Sequence, residues 1–412
     1  MNRFFLSRLM FVIPLLMISC GSPKSKQPSD ISSQDSLRME QAVLPFLDLA
    51  DLISKKRDVL LSELAVRITY IPLETPRSFM IGEKNVHVKP CGEYIFVSEH
   101  GKPVGAFDRT GKFIRKIGNI GKGPGEYNFD FIFWPDEASR QVYIWNADKG
   151  TIMAYSFEGA FLKDIKPEFR LGNFVPVGNG LFLSWTFMQA DFEGKFYRMV
   201  FHDNIGKTTS RIFEPKKKYD FSHGISIMTP LLTRAPEGWL YNSWENDTIF
   251  RIKADSSFTP AFSWKLGKLR IPIDGMKDYS RFLREKDNYL MDLNAIESPS
   301  KWFIRYDYQG RNNLAVYDKR SAEFFVVANA DTAQRGIIND IDGGPSFFPS
   351  WDNENGRYFV RLINAIDLLD YQNGKAKNTI EPKDPAAARK FREMVATLTD
   401  NSNPVVMLVE LK

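Results

Sequence analysis

The sequence predicts an all-β fold, a six-bladed β-propeller with two inserted helices, and three observations carry that expectation. First, EYIFVSEHGKPVGAFDRTGKFIRKI (93–117) lies over QVYIWNADKGTIMAYSFEGAFLKDI (141–165) without a gap. Ala106 falls on Ala154, Phe107 on Tyr155, Gly111 on Gly159, Phe113 on Phe161 and Ile117 on Ile165. Each copy reads as strand, polar turn, strand, one-glycine turn, strand, and a period of about 40–50 residues with several short strands marks propeller blades. Second, weaker copies follow at 180–207, 238–264 and 301–327, with part of another between Gly336 and Leu369. Counted from Arg67, they make about six units, within the usual range of roughly 4–8 blades. Third, apolar strands stand at both ends of the domain, Val66–Leu73 and Val405–Leu411. Pairing them in one blade would close the ring and remove a free edge.

The elements follow in chain order. Residues 1–19 read as a signal peptide, with Arg3 and Arg8 ahead of a Leu9–Ile18 apolar run. That run is too short for a spanning helix, which needs about 20 apolar residues. Met17-Ile18-Ser19-Cys20 resembles a bacterial lipobox, so Cys20 is the expected lipidation site and the membrane an expected partner through that anchor. Residues 20–40 are Ser, Pro, Lys, Gln and Asp with little to bury, and read as a flexible tether. The propeller domain is assigned to 41–412. With Cys20 modified, Cys91 alone remains, which leaves no internal disulfide and a fold held by its core.

Two stretches break the strand pattern. In DPAAARKFREMVATL, Asp384 suits an N-cap and Pro385 the first turn, while Phe391, Met394, Val395 and Leu398 share one face. Residues 278–296 place Tyr279, Phe282, Leu283, Tyr289, Leu290, Leu293 and Ile296 at similar spacing and read as the second helix.

The glycine-rich IGNIGKGPGEY (117–127) raises the question of a phosphate loop. A Walker loop needs Lys-Ser/Thr after its glycines and then a helix, and a dinucleotide fingerprint needs the helix as well. Neither follows; Phe129–Trp134 is aromatic and leads to Pro135. The glycines are therefore read as turns between one blade and the next.

Charge is balanced. The whole chain carries +5, and loss of Arg3 and Arg8 leaves 53 basic against 50 acidic residues. The longest basic cluster is Lys216-Lys217-Lys218, so nothing resembles a nucleic-acid footprint. His87, His100, His202 and His223 show no paired metal spacing, and no hydrolase elbow appears, so no catalytic residue, metal ligand or cofactor is assigned. Asp340, Asp342, Asp352, Asn353 and Glu354 cluster without the order of a calcium loop and fit turn chemistry. Phe347, Phe348 and Trp351, in the same stretch, are the candidate ligand contacts: exposed they would stack on a sugar or anchor a partner, buried they would pack between blades.

The run FDRTGKFIRKIG with its trailing GPGEY resembles the NHL-type propeller repeat. More closely, IPLET (71–75), IGNIGKGPGEY (117–127), ENDTIFRI (245–252), NDIDGG (339–344) and NPVVMLVELK (403–412) resemble the six-bladed β-propeller lipoproteins of Bacteroidota. The resemblance implies fold and a cell-envelope location, and implies no reaction. Lys24 and Lys26 stand where an acidic surface-export signal would, which points to the periplasmic side of the outer membrane. The function expected is recognition of a protein, peptide or glycan by loops on one face of the ring. The rival is an NHL-like lyase or hydrolase working in the central channel.

Overall fold

The computed structural model describes residues 29–32, 45–82, 85–129, 131–190, 196–213, 231–242, 247–272, 279–328, 336–349, 353–354, 356–374 and 380–412. Six antiparallel sheets form a β-propeller. Blade 1 runs from its inner strand Val86–Cys91 through Tyr94–Glu99 and Val104–Asp108 to an outer strand, Phe113–Ile117. Blade 2 follows the same order over Phe131–Asp136, Gln141–Asn146, Thr151–Ser156 and Phe161–Ile165. The 25-residue repeat seen in the sequence is thus the outer three strands of each blade.

Blades 3, 4 and 5 have inner strands Leu171–Gly178, Leu231–Arg234 and Met291–Glu297, and outer strands Thr208–Phe213, Phe258–Lys265 and Phe324–Val327. Blade 6 is assembled from both ends of the domain. Its strands Asn353–Glu354, Tyr358–Ile363 and Val405–Leu411 are completed by Ala65–Pro72. Val405 lies opposite Pro72, Met407 opposite Tyr70 and Val409 opposite Ile68, so the terminal strands share a blade as expected.

Strand alternation builds the core. In Tyr94–Glu99, Ile95 and Val97 enter the cluster shared with blade 6, while Phe96 enters the one shared with blade 2. Because successive side chains point to opposite faces of a strand, every sheet feeds two cores. Each of the six blade interfaces has its own apolar cluster. Trp239, Trp302, Tyr127 and Tyr155 are among the largest fully buried side chains. Such burial contributes about 1.5–3 kcal/mol for each large apolar group.

The helix expected from Asp384 is present as Pro385–Val395, with the Asp384 carboxylate accepting from the amides of Ala386 and Ala387. Phe391 and Val395 pack into the blade 5–blade 6 core. A further helix, Ala365–Gln372, precedes it. The expectation at 278–296 is corrected. Only Tyr279–Glu285 is α-helical, and Met291–Glu297 is the inner strand of blade 5, paired with Lys301–Tyr308. Ala295 packs toward blade 4 and Ile296 toward blade 6, and a strand buried on both faces gives a continuous apolar run that imitates a helical stripe.

The segment before blade 6 is structured more than composition suggests. Ser29–Ser32, within the stretch expected to be a tether, runs parallel to the outer strand of blade 3. Phe46–Asp48 then adds to the outer strand of blade 4 and Lys56–Arg57 to that of blade 5, both parallel. The chain therefore edges three successive blades before entering the fourth.

Candidate functional site

In each sheet the hairpin between second and third strands and the link to the next blade lie at one edge. The other two hairpins lie at the opposite edge. At the first edge three loops meet beside blade 1. They are the link carrying Met80, the hairpin carrying His100 and the link carrying Phe129. The Gly101 amide donates to the Phe129 carbonyl (3.5 Å), and Lys102 Nζ donates to the Met80 carbonyl (2.7 Å) and pairs with Glu99 (2.7 Å). Glu99 also accepts from the Gly82 amide (2.8 Å). His100 meets Phe129 edge-on with ring centroids 5.4 Å apart. Phe129 is 52% and Met80 47% exposed. His87, also exposed, opens the inner strand of the same blade.

The glycine loop supports this group. Gly118 and Gly125 adopt positive φ (64° and 70°), and a Cβ at Gly118 would lie 2.7 Å from the Tyr155 ring and 2.8 Å from the Tyr127 ring. The Tyr127 hydroxyl donates to the Ile117 carbonyl (2.6 Å) and accepts from the Val104 amide (2.9 Å). The Gly123 amide donates to the Glu126 carboxylate (2.8 Å), so this loop spends an amide on its own acid rather than on an anion. Lys149 Nζ donates to the Gly123 and Glu126 carbonyls, and Asn128 donates to Asp148, tying the link to blade 2.

At the opposite end of the ring, where inner strands finish, side chains of three blades stack. Lys89 Nζ of blade 1 lies 3.5 Å from the Trp134 ring centroid of blade 2. Trp134 meets Trp239 of blade 4 edge-on at 4.9 Å, and the Arg234 guanidinium stands 5.1 Å from the Trp239 ring. Trp239 donates its indole N–H to the Pro176 carbonyl of blade 3 (2.9 Å). Burial works against the charge of Arg234, and Asp136 offsets part of that cost. Cys91, half-buried, ends the inner strand of blade 1 at this same end.

The residues singled out in the sequence are dispersed. Phe347 is fully buried between blades 5 and 6, its backbone paired with Ile337, and presents no face to a ligand. Phe348 is half-buried, with the Arg305 guanidinium 4.8 Å from its ring. Cys20, Trp351, Asp352 and His223 lie outside the described residues. His202 is buried in blade 3 against Ser184 (2.8 Å). Asp340 and Asp342 are structural. Asp340 accepts from the Ser62 amide (2.9 Å) and hydroxyl (2.6 Å) and pairs with Lys383 (2.9 Å). Asp342 accepts from Asn339 (2.6 Å), the Gly344 amide (2.9 Å) and the Tyr70 hydroxyl (3.3 Å). Burial raises Asp342 above the usual carboxylate range and pushes the Tyr70 hydroxyl well up. Among the described residues no group of three or more His, Cys, Asp or Glu is disposed to hold a metal. Among them, too, no helix is long and apolar enough to cross a membrane.

The Met80–His100–Phe129 group was missed because its members come from three loops, and only the aromatic run after Gly125 marks it in sequence.

A family model described as a domain of unknown function, DUF4934, matches residues 44–410. The chain belongs to that family. Among solved structures, it is similar to a protein from Bacteroides fragilis NCTC 9343 that carries a provisional description as exported. The two are 16% identical with a TM-score of 0.68, covering 90% of this chain and 99% of that one. At that identity the likeness shows a shared fold. A member of the DUF4221 family from Bacteroides vulgatus is 10% identical with a TM-score of 0.46, over 85% of this chain and 97% of that one. No curated protein matches the chain.

Proposed function

We propose that the protein is a cell-envelope lipoprotein, anchored through Cys20 to the periplasmic side of the outer membrane, whose propeller is a recognition module. The ligand is a protein, peptide or glycan, and the contact surface is the loop edge beside blade 1. The observation that carries this reading is the exposed Phe129 set against His100, with exposed Met80 on an adjoining loop, the three loops cross-tied by hydrogen bonds. Loops held on a rigid scaffold are where binding groups concentrate, and an exposed ring offers a stacking face to a sugar or an anchor for an apolar side chain. The Lys89–Trp134–Trp239–Arg234 stack occupies the opposite end of the ring, which favours approach from the loop edge.

The test is a thermal-shift screen of the chain from Gly21 onward against envelope glycans and peptide pools. A ligand of the folded state raises Tm. The Phe129→Ala variant loses that shift while its own stability stays within about 0.5 kcal/mol of wild type, as expected for a surface site. A full shift retained in Phe129→Ala contradicts the reading.

A further inference from the structure

We propose that the outer corner of blade 3 rests on the lipid surface that holds Cys20, with Ile205 entering the interface. The inference rests on the anchor proposed above and adds which part of the ring the membrane touches.

The first support is where the chain leaves the fold. Ser29 lies opposite Ser210 in the parallel pair with the outer strand of blade 3. Only residues 21–28 separate it from Cys20. Eight residues span at most about 28 Å fully extended. The lipid therefore lies within about that reach of the start of the outer strand, which the Asp203–Lys207 turn opens.

The second support is a comparison within the molecule. Blades 1 to 4 make the turn before the outer strand in one way. The first residue's amide donates to the fifth residue's carbonyl, and the fourth residue's amide donates back to the first. The fourth position takes positive φ at Gly111, Gly159, Gly206 and Ser256. The exposed third position is Thr110, Glu158, Ile205 and Asp255 in turn. Only the blade beside the chain's exit carries an apolar residue there. At 70% exposure Ile205 is also the most exposed large hydrophobic residue among those described. Scattered exposed apolar residues are ordinary, but one at a position kept polar in the sister turns is singled out.

Its presentation is rigid. The Asp203 carboxylate accepts from the amides of Ile205 (3.0 Å) and Lys207 (2.9 Å). A Cβ at Gly206 would lie 2.0 Å from the Lys166 carbonyl oxygen, which pins the turn against the blade 2–blade 3 link. Around it stand exposed Lys207 and Lys166, and Lys163, whose Nζ donates to the Asn204 carbonyl (2.8 Å). The acids hydrogen-bonded within this turn are Asp203 and Glu168, the latter accepting from the Thr208 amide (3.0 Å), while Asp164 follows Lys163 and Asp30 lies opposite Arg211. Lysines around an apolar tip suit anionic headgroups over an acyl boundary. One isoleucine and three lysines do not bind a membrane alone; they orient a protein already anchored. The loop edge with Phe129, at the opposite side of the sheets, then points away from the bilayer.

The experiment uses the full lipidated chain carrying Cys91→Ala and one of Thr110→Cys, Glu158→Cys, Ile205→Cys or Asp255→Cys. Each is labelled with an environment-sensitive fluorophore and placed on phosphatidylethanolamine–phosphatidylglycerol vesicles, with and without nitroxide-bearing acyl chains. The label at 205 is expected to shift to the blue and be quenched by the nitroxides, while those at 110, 158 and 255 keep their aqueous emission. Protein that floats with vesicles while position 205 behaves like the other three overturns the proposed orientation alone. Protein that fails to float overturns the anchor as well.

Discussion

His202 is held as a neutral imidazole by two complementary bonds. Its Nδ1 donates to the Asp203 carbonyl (3.0 Å), which leaves Nε2 to accept from the Ser184 hydroxyl (2.8 Å). The ring stacks on Phe182 (5.2 Å) and meets Phe169 edge-on. Burial pushes its pKa down from the ordinary 6.5 to about 4. The folded state thus refuses a proton that the unfolded state accepts near pH 6.5. His202 therefore destabilises the fold progressively as pH falls from about 6.5 to 4, by an upper bound of about 3 kcal/mol. Denaturant melts across that window are expected to show a steeper loss of stability in wild type than in His202→Gln. Equal slopes would mean that the site is wet or charged in the fold.

At the scale of elements, the stretch 46–52 that edges blade 4 is part of the core. Leu47 and Leu49 are buried in the blade 4–blade 5 cluster beside Trp264 and Phe262. Leu49→Ala is expected to cost about 2–5 kcal/mol in urea unfolding, as for a buried leucine elsewhere. A cost below about 0.5 kcal/mol would show that this segment only lies on the surface. The blades themselves were legible, because a one-glycine turn and alternating strands repeat in register. The edge strands were not. Ser-Asp-Ile-Ser and Lys-Arg join their sheets by backbone pairing, Arg57 also lying over the Phe325 ring, and neither run shows an alternating apolar pattern to read. The inner strand Met291–Glu297 misled for a different reason, since burial on both faces erases the alternation that separates strand from helix. The proposed contact group was illegible too: the loops carrying Met80, His100 and Phe129 are joined by tertiary contacts that no local pattern encodes.

At the scale of the molecule, ring closure and polarity between the two edges organise everything else. Blade 6 joins Ala65–Pro72 to Val405–Leu411, and the helix Pro385–Val395 braces that joint, with Phe391 4.8 Å from Tyr70. The Asp340–Lys383 pair and the Ser62 bonds fasten the same region. The central claim, recognition at the loop edge beside blade 1, is tested most directly by photo-crosslinking in intact cells. A photoreactive side chain would be placed at Phe129 in the lipidated protein, with Glu158 at the opposite edge as the comparison. The account predicts a discrete higher-mass adduct from position 129 and none from 158. Adducts from 158 with none from 129 would contradict it.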